Sequence, residues 1–564
     1  MKKKIAESVQ TKCIGFAPVL RHYFEKCRIA EIIDGQIATD SRRRILSHGE
    51  ACIAMITAIL YRVLQLYRLC KFARETTVLE AILPAIKPEE YFDDRLADTL
   101  DALYEYGTGN VEMLITRHMI NEFGIVNEEC HNDTTSSSFY GDCNNNMTDS
   151  SINITFGFSK KKRHDLKQLV WSLSVSSDSG FPLFQQAYSG NTADVETYVE
   201  QWHNLIDLLG NREFLYVADS KLVTRENMTQ INDNEGFFVA PVPMYESYKT
   251  QFTSALNSHD SELLIPYKNQ LNRGFEAPLS FEYEGRVYNF RMIILFDHGL
   301  FSRKSSALKN RADLTRKAFQ ELDSRLNAYR LKTFDAIDRA CSNILEKNNT
   351  TEFFTYKISN NPETVIKNKS RGRTPKNREP EKIEEQIDRF SVELFFDGKA
   401  FEDAICRCGY YPLVTNTPAD TFSVSDLMMA YKNQYKNEHL NRRAKSRLDL
   451  EPVYLHTPER IEAFLFLFKT ALQIIVLIER SARKNIEARD KGLDDFMPNR
   501  KDVRNPGAEY MLAEFDYIVS GEMTLPDGMR YGFVSELNAL QKDILSILDV
   551  PERCFSYEYL FGSG

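Results

Sequence analysis

The chain has 564 residues and a mass of 65.2 kDa, enough for several hydrophobic cores. Its 43% hydrophobic and 12% aromatic content excludes a disordered chain, and a formal net charge of -9 excludes a globally basic nucleic-acid binder, so any such contact must fall to local basic stretches. Ten cysteines with no CxxC pair fit reduced thiols in a cytoplasmic protein, and neither Cys130, His131 and Cys143 nor Cys406 and Cys408 has a standard zinc spacing.

The N-terminus, MKKKIAESVQ, is basic but lacks the apolar run of a signal peptide. Residues 1–125 read as helical: apolar residues recur at helical spacing in SHGEACIAMITAILYRVLQLYRL, and Ser47 with Glu50 forms a capping box that opens that helix. The preceding run Arg42, Arg43 and Arg44 would suit DNA or a solvated surface equally.

From about 126 the texture turns to short strands. HNDTTSSSFYG (131–141), DLKQLVWSLSV (165–175) and FPLFQQAYSG (181–190) are rich in β-formers. NTADVETYVEQWHNLIDLLG is helical, the apolar run Phe214 to Ala218 suits a strand buried on both faces, and GFFVAPVP (236–243) is a further strand. Three strands, a helix, a strand, a helix and a strand is the order of an RNase H-like α/β mixed sheet. Ligands gather at strand ends in open sheets, and Asp219 stands at one.

Residues 246–415 then interrupt the sheet as an α+β insertion. It holds a hairpin in FEYEGRVYNFRMIILFD, a charged amphipathic stretch from Ser306 to Lys347, the strand FFTYKI, and a Gly- and Pro-bearing loop from Lys367 to Lys382 with seven Lys or Arg against two Glu.

YKNQYKNEHLNRRAKSR (431–447) has helix composition with neither Gly nor Pro, and six cations surround the single acid Glu438. On one continuous helix Tyr431, Glu438 and Lys445 would form a single stripe. Taken alone, Glu438 is as well explained by a surface salt bridge. Thr457 and Pro458 open the next helix, whose apolar run Ala463 to Ile478 is broken by Lys469 and Gln473 and reads as a buried core helix, not a membrane span. The tail 491–564 is mixed, with one helical stretch at SELNALQKDILSIL.

In such a sheet Asp133, Asp219 and Glu438 would converge. Three carboxylates at one point repel unless a cation neutralises them, and hard oxygen ligands suit Mg²⁺ or Mn²⁺ in the two-ion arrangement of phosphodiester cleavage.

The spacing Tyr431, Gln434, Glu438, Lys445 resembles the YREK signature of DDE insertion-sequence transposases, with Gln434 in place of its arginine. HNDTTSSSFYG, FGFSKKKRHDLKQL, FPLFQQAYSGNTAD, YVADSKLVTREN, GYYPLVTNTPAD and LEPVYLHTPERIEAFL also resemble that family's blocks, in its branch with a large insertion before the last acid. The resemblance implies that Asp133, Asp219 and Glu438 are catalytic ligands of two Mg²⁺ or Mn²⁺ ions and that Tyr431 and Lys445 hold DNA backbone. Gln434 brings no charge to that grip, so either a neighbour such as Arg442 compensates or this copy grips more weakly. Lys160, Arg163 and Lys167, in a run with a surplus of four positive charges, would face substrate backbone or a solvated strand edge.

The implied organisation is a helical DNA-binding domain at 1–125, RNase H-like parts at 126–245 and 416–490, the insertion at 246–415 and a C-terminal region at 491–564. The implied activity is binding of terminal inverted repeats, 3′-strand cleavage and transfer of the 3′-OH into target DNA, by a homodimer on DNA that is cytoplasmic and nucleoid-associated when bound. No membrane and no small-molecule cofactor is called for. A non-catalytic end-binding descendant and a structure-specific nuclease remain as alternatives.

Overall fold

The structure is a computed structural model that describes residues 8–40, 45–139, 152–158, 163, 165–267, 270–368, 382–448, 450 and 455–562. It divides into two compact units: Met1–Pro243 with Ser280–Arg291 and Val414–Gly564, and Met244–Leu279 with Met292–Leu413.

The first unit is built on a mixed sheet. Its strands include β1 (Glu129–Phe139), β2 (Lys167–Ser176), β3 (Pro182–Ser189), β4 (Leu215–Val217) and β5 (Phe237–Pro241). β1, β2 and β3 form an antiparallel meander in which Asp133 lies opposite Leu173. The helix α1 (Asp194–Leu209) then crosses over, and β4 pairs parallel with β1 and with β5. The order β3-β2-β1-β4-β5 is the RNase H-like one. β4 is an uninterrupted apolar run because both its faces are covered: Leu215, Tyr216 and Val217 are fully buried. After the insertion the chain returns beside β5, where Thr415 Oγ1 donates to the Phe238 carbonyl at 2.6 Å and Asn416 Nδ2 to that of Gly236 at 2.7 Å.

Helices α2 (Val424–Lys432) and α3 (Tyr435–Ser446) follow, then the 32-residue helix α4 (Pro458–Arg489). α4 is long and apolar enough to cross a membrane, yet 94% of its apolar window is buried inside the protein, between β3 and the helices His48–Leu60, Asp93–Tyr106 and Thr108–Phe123. The two polar residues that interrupt its apolar run make internal bonds. Lys469 pairs with Glu112 at 3.3 Å, both fully buried, and Gln473 donates to the Pro182 carbonyl at 2.8 Å. The Ser47–Glu50 capping box forms, whereas Thr457 makes no side-chain cap bond and Pro458 alone marks the start of α4.

The N-terminal helices and the tail, expected as separate regions, belong to the same compact unit as the sheet. Strand Ser8–Cys13 pairs antiparallel with Val519–Thr524, and that strand with Arg530–Val534, so the two ends of the chain share one small sheet. The arginines at 42–44 lie outside the described residues.

In the second unit, the stretch read as one amphipathic run from Ser306 to Lys347 is two helices, His298–Asp323 and Phe334–Asn348. Asn327 and Tyr329 between them adopt left-handed backbone (φ 62° and 49°), which reverses the chain. Their apolar faces enclose Leu308, Phe319, Cys341 and Phe354 over the hairpin Phe354–Asn360 and Phe390–Phe396. The basic stretch expected as a loop from Lys367 to Lys382 begins and ends in paired strands, Lys367 opposite Ile383 and Asn368 opposite Lys382, while 369–381 lie outside the described residues.

Candidate active site

The helix expected across 431–447 is broken. α2 ends at Lys432 and α3 begins at Tyr435, so Tyr431 and Glu438 stand on different helices rather than on one stripe. At the join, tight three-residue bonds replace the α-helical ladder: Gln434 N–H donates to the Tyr431 carbonyl at 3.1 Å and Asn437 N–H to that of Gln434 at 3.1 Å. Two side chains fix this joint to the sheet. Asn433 Nδ2 donates to Glu129 Oε2 at 3.1 Å, and Lys436 Nζ to the Ser177 carbonyl at 2.6 Å. Burial pushes the Glu129 carboxyl up, but hydrogen bonds with His131 and Asn433 outweigh it and hold the group below its ordinary value.

α3 is docked on β1 by residues one helical turn apart, Asn437, Asn441 and Lys445. Asn437 Nδ2 donates to the carbonyls of His131 (3.2 Å) and Leu173 (2.9 Å). Asn441 Nδ2 donates to Asp133 Oδ2 at 3.2 Å, and Lys445 Nζ to Thr135 Oγ1 and to the Ser136 carbonyl at 2.7 Å. Alternate residues of a strand share one face, so the rise of the helix matches positions 131, 133 and 135 of β1.

Asp133 is half-buried in the middle of β1. Asp219, also half-buried, follows β4 and caps the short turn Ser220–Leu222, accepting from Lys221 N–H at 2.9 Å and from the Tyr198 hydroxyl of α1. Tyr198 is fully buried, and its phenol is pushed well above its ordinary value by burial and then by the charge of Asp219, with Asp133 adding to it. The Tyr431 phenol is raised by burial and by the charges of Glu438 and Asp219. Two tyrosines therefore link three acids: Asp133 and Asp219 act on one, Asp219 and Glu438 on the other. Glu438 itself is exposed.

Among the described residues, no three His, Cys, Asp or Glu side chains stand close enough to hold a metal ion. The acids share an electrostatic neighbourhood without forming one coordination cluster. Their donors nonetheless fit a hard divalent cation. An amide donates to Asp133, and a phenol and a backbone N–H donate to Asp219, and carboxylate oxygens held in this way are the hard ligands such an ion takes. Beside Asp133, Asn441 Oδ1 is a buried oxygen with no hydrogen-bond partner.

Of the expected DNA contacts, Lys445 reaches the strand, Gln434 lies half-buried at the helix joint, and Arg442 is exposed on the side of α3 away from β1. Arg163 forms a two-pronged pair with Asp165 (2.8 and 2.7 Å), Lys167 opens β2, and Lys160 lies outside the described residues. Sequence reasoning missed Tyr198, Asn437 and Asn441. The four-residue spacing of the two asparagines with Lys445 was a visible signal; a tyrosine on an amphipathic helix gave none.

Three acids thus stand on the first strand of an RNase H-like sheet, after its fourth, and on a helix that follows a long insertion. Residues 150–474, more than half of the chain, match the transposase DDE domain, and the chain belongs to that family. The matched range holds Asp219 and Glu438, while Asp133 precedes it. Residues 9–116 match a domain of unknown function, DUF4277. None of the curated proteins matches. Among solved structures, a piggyBac transposase in a synaptic complex with hairpin DNA aligns with 96% of this chain and 88% of its own, at 8% identity and a TM-score of 0.35.

Proposed function

We propose that this chain is a transposase that binds the terminal inverted repeats of an insertion sequence, cuts the 3′ strand and joins the freed 3′-OH to target DNA, working as a homodimer with one copy on each end. The observation that carries this reading is the match of residues 150–474 to the transposase DDE domain, together with the docking of the Glu438-bearing helix on β1, where Asn441 donates to Asp133 at 3.2 Å.

In this reading Asp133, Asp219 and Glu438 hold two Mg²⁺ or Mn²⁺ ions, which when bound make water a nucleophile at neutral pH and offset charge on the phosphate. The chain's own residues do the positioning. Asn441 and Tyr198 aim the carboxylates of Asp133 and Asp219. Tyr431, its proton retained by burial, offers a neutral hydroxyl donor to a phosphate oxygen beside Glu438. Lys445 serves first to fix α3 on β1, and its phosphate contact would be made from that anchored position.

The test is cleavage of an end-bearing duplex with Mg²⁺ by wild type and Glu438→Gln, together with a pre-cut 3′-OH substrate. Loss of cleavage and of joined product in the variant supports the reading; unchanged cleavage overturns it. Cleavage without joining would identify a nuclease. A second reading, a non-catalytic end-binding protein, is favoured by the separation of the acids and by the uncharged Gln434. It expects salt-dependent end binding with no metal-dependent product.

A further inference from the structure

α3 has a second face. At roughly 100° per residue, Asn437, Asn441 and Lys445 occupy the side towards β1, Glu438 stands at its margin, and Arg442, Arg443 and Arg447 sweep round the other side. That side walls a cleft of about 610 Å³, closed opposite by α4 and by Gly507, Glu509 and Tyr510.

Five cations line the cleft, Lys436, Arg442, Arg443, Arg447 and Arg483, against the carboxylates of Glu479 and Glu509, a surplus of three. Both carboxylates are engaged within the wall. Arg443, only 7% exposed, donates through Nε to Glu509 at 2.6 Å and through Nη2 to Glu479 and Glu509, and Arg483 donates to Glu479 at 3.1 Å. Ala508 N–H also donates to Glu479 at 2.9 Å. The acids thus build a rigid floor, and the positive surplus faces outward. Arg442 and Arg447 stand exposed at the rim, where Arg447 donates to the Tyr510 hydroxyl at 3.2 Å. His439 also lines the cleft.

We propose that this cleft binds the phosphodiester backbone of the DNA strand leading away from Glu438, with Arg442 and Arg447 as the phosphate contacts and the Arg443–Glu479–Glu509 cluster as their support. The proposal rests on the reading of the chain as an enzyme of DNA. A guanidinium fork matches a phosphate, and two rim arginines above a neutralised floor suit a backbone track better than a small buried anion.

The experiment is anisotropy of a labelled end-bearing duplex bound to the full chain, with chelator in place of divalent ions, across about 50 to 200 mM salt. Arg442→Gln with Arg447→Gln is compared with wild type and with Lys309→Gln/Lys317→Gln, which makes the same charge change on an exposed helix assigned no DNA contact. The cleft variant is expected to lower the slope of log affinity against log salt by about 1.8, roughly 0.9 for each phosphate that is no longer neutralised, with little change in the control. An unchanged slope, an equal loss in the control, or no binding by wild type overturns the proposal. Because binding is read without divalent ions, failure of Glu438→Gln to alter cleavage would remove the enzymatic reading and leave this result standing.

Discussion

Asn441 donates its side-chain amide to Asp133 Oδ2 at 3.2 Å across 308 positions of chain. The bond joins the first strand of the sheet to the helix that bears Glu438, so the same contact that docks the helix also aims a candidate catalytic carboxylate. Asn441→Ala is expected to reduce end cleavage at least tenfold while leaving salt-dependent DNA binding unchanged. Loss of this hydrogen bond costs about 1–3 kcal/mol of stability, readable as a shift in urea midpoint. Full cleavage by a folded Asn441→Ala protein would show that the contact is only structural.

Tyr198→Phe keeps the buried ring and removes the hydroxyl that Asp219 accepts from. The expected result is a higher divalent-ion concentration for half-maximal cleavage with an unchanged circular dichroism spectrum. An unaltered metal requirement would detach Tyr198 from the site.

Gln434→Arg adds a cation at the joint between α2 and α3. End binding is expected to tighten and its salt slope to steepen by about 0.9, one phosphate's worth. No change in slope would mean that position 434 does not face the backbone.

Lys469 and Glu112 form a pair inside the unit that carries the site, 3.3 Å apart and fully buried. Burial holds the Lys469 pKa down to about 8 against an ordinary 10.5, the charge of Glu112 only partly opposing it. Between those two values the unfolded chain binds more protons than the folded one, so this group makes stability rise with pH through that window. Lys469→Met with Glu112→Leu is expected to lack that rise. Lys469→Ala alone is expected to cost about 3–5 kcal/mol by leaving a buried carboxylate without its partner, whereas the double variant stays nearer to wild type. Equal destabilisation by both would show that the pair's charge complementarity is not what matters.

Much of the sheet was legible because period and composition report burial directly. The apolar run before Asp219 reads as a doubly covered strand, and Leu215, Tyr216 and Val217 are fully buried. The core helix was legible for the same reason. The break at Asn433–Gln434 was not, since both residues tolerate a helix and what fixes the joint is a bond from Asn433 to Glu129, 304 positions away. The contact of Lys445 with β1 was not legible, because a lysine in a basic helix carries no sign of the strand it will meet. Tyr198 was invisible because its role depends on Asp219 arriving beside it through the fold.

The account turns on Asp133, Asp219 and Glu438 acting as one site. Electron paramagnetic resonance of Mn²⁺ added to the chain bound to its end duplex tests this most directly, with Asp133→Asn, Asp219→Asn and Glu438→Gln alongside wild type. The account expects protein-bound Mn²⁺ in the wild-type complex and a weakened or missing signal in all three variants, each still bound to DNA. Mn²⁺ binding equal to wild type in every variant would contradict it.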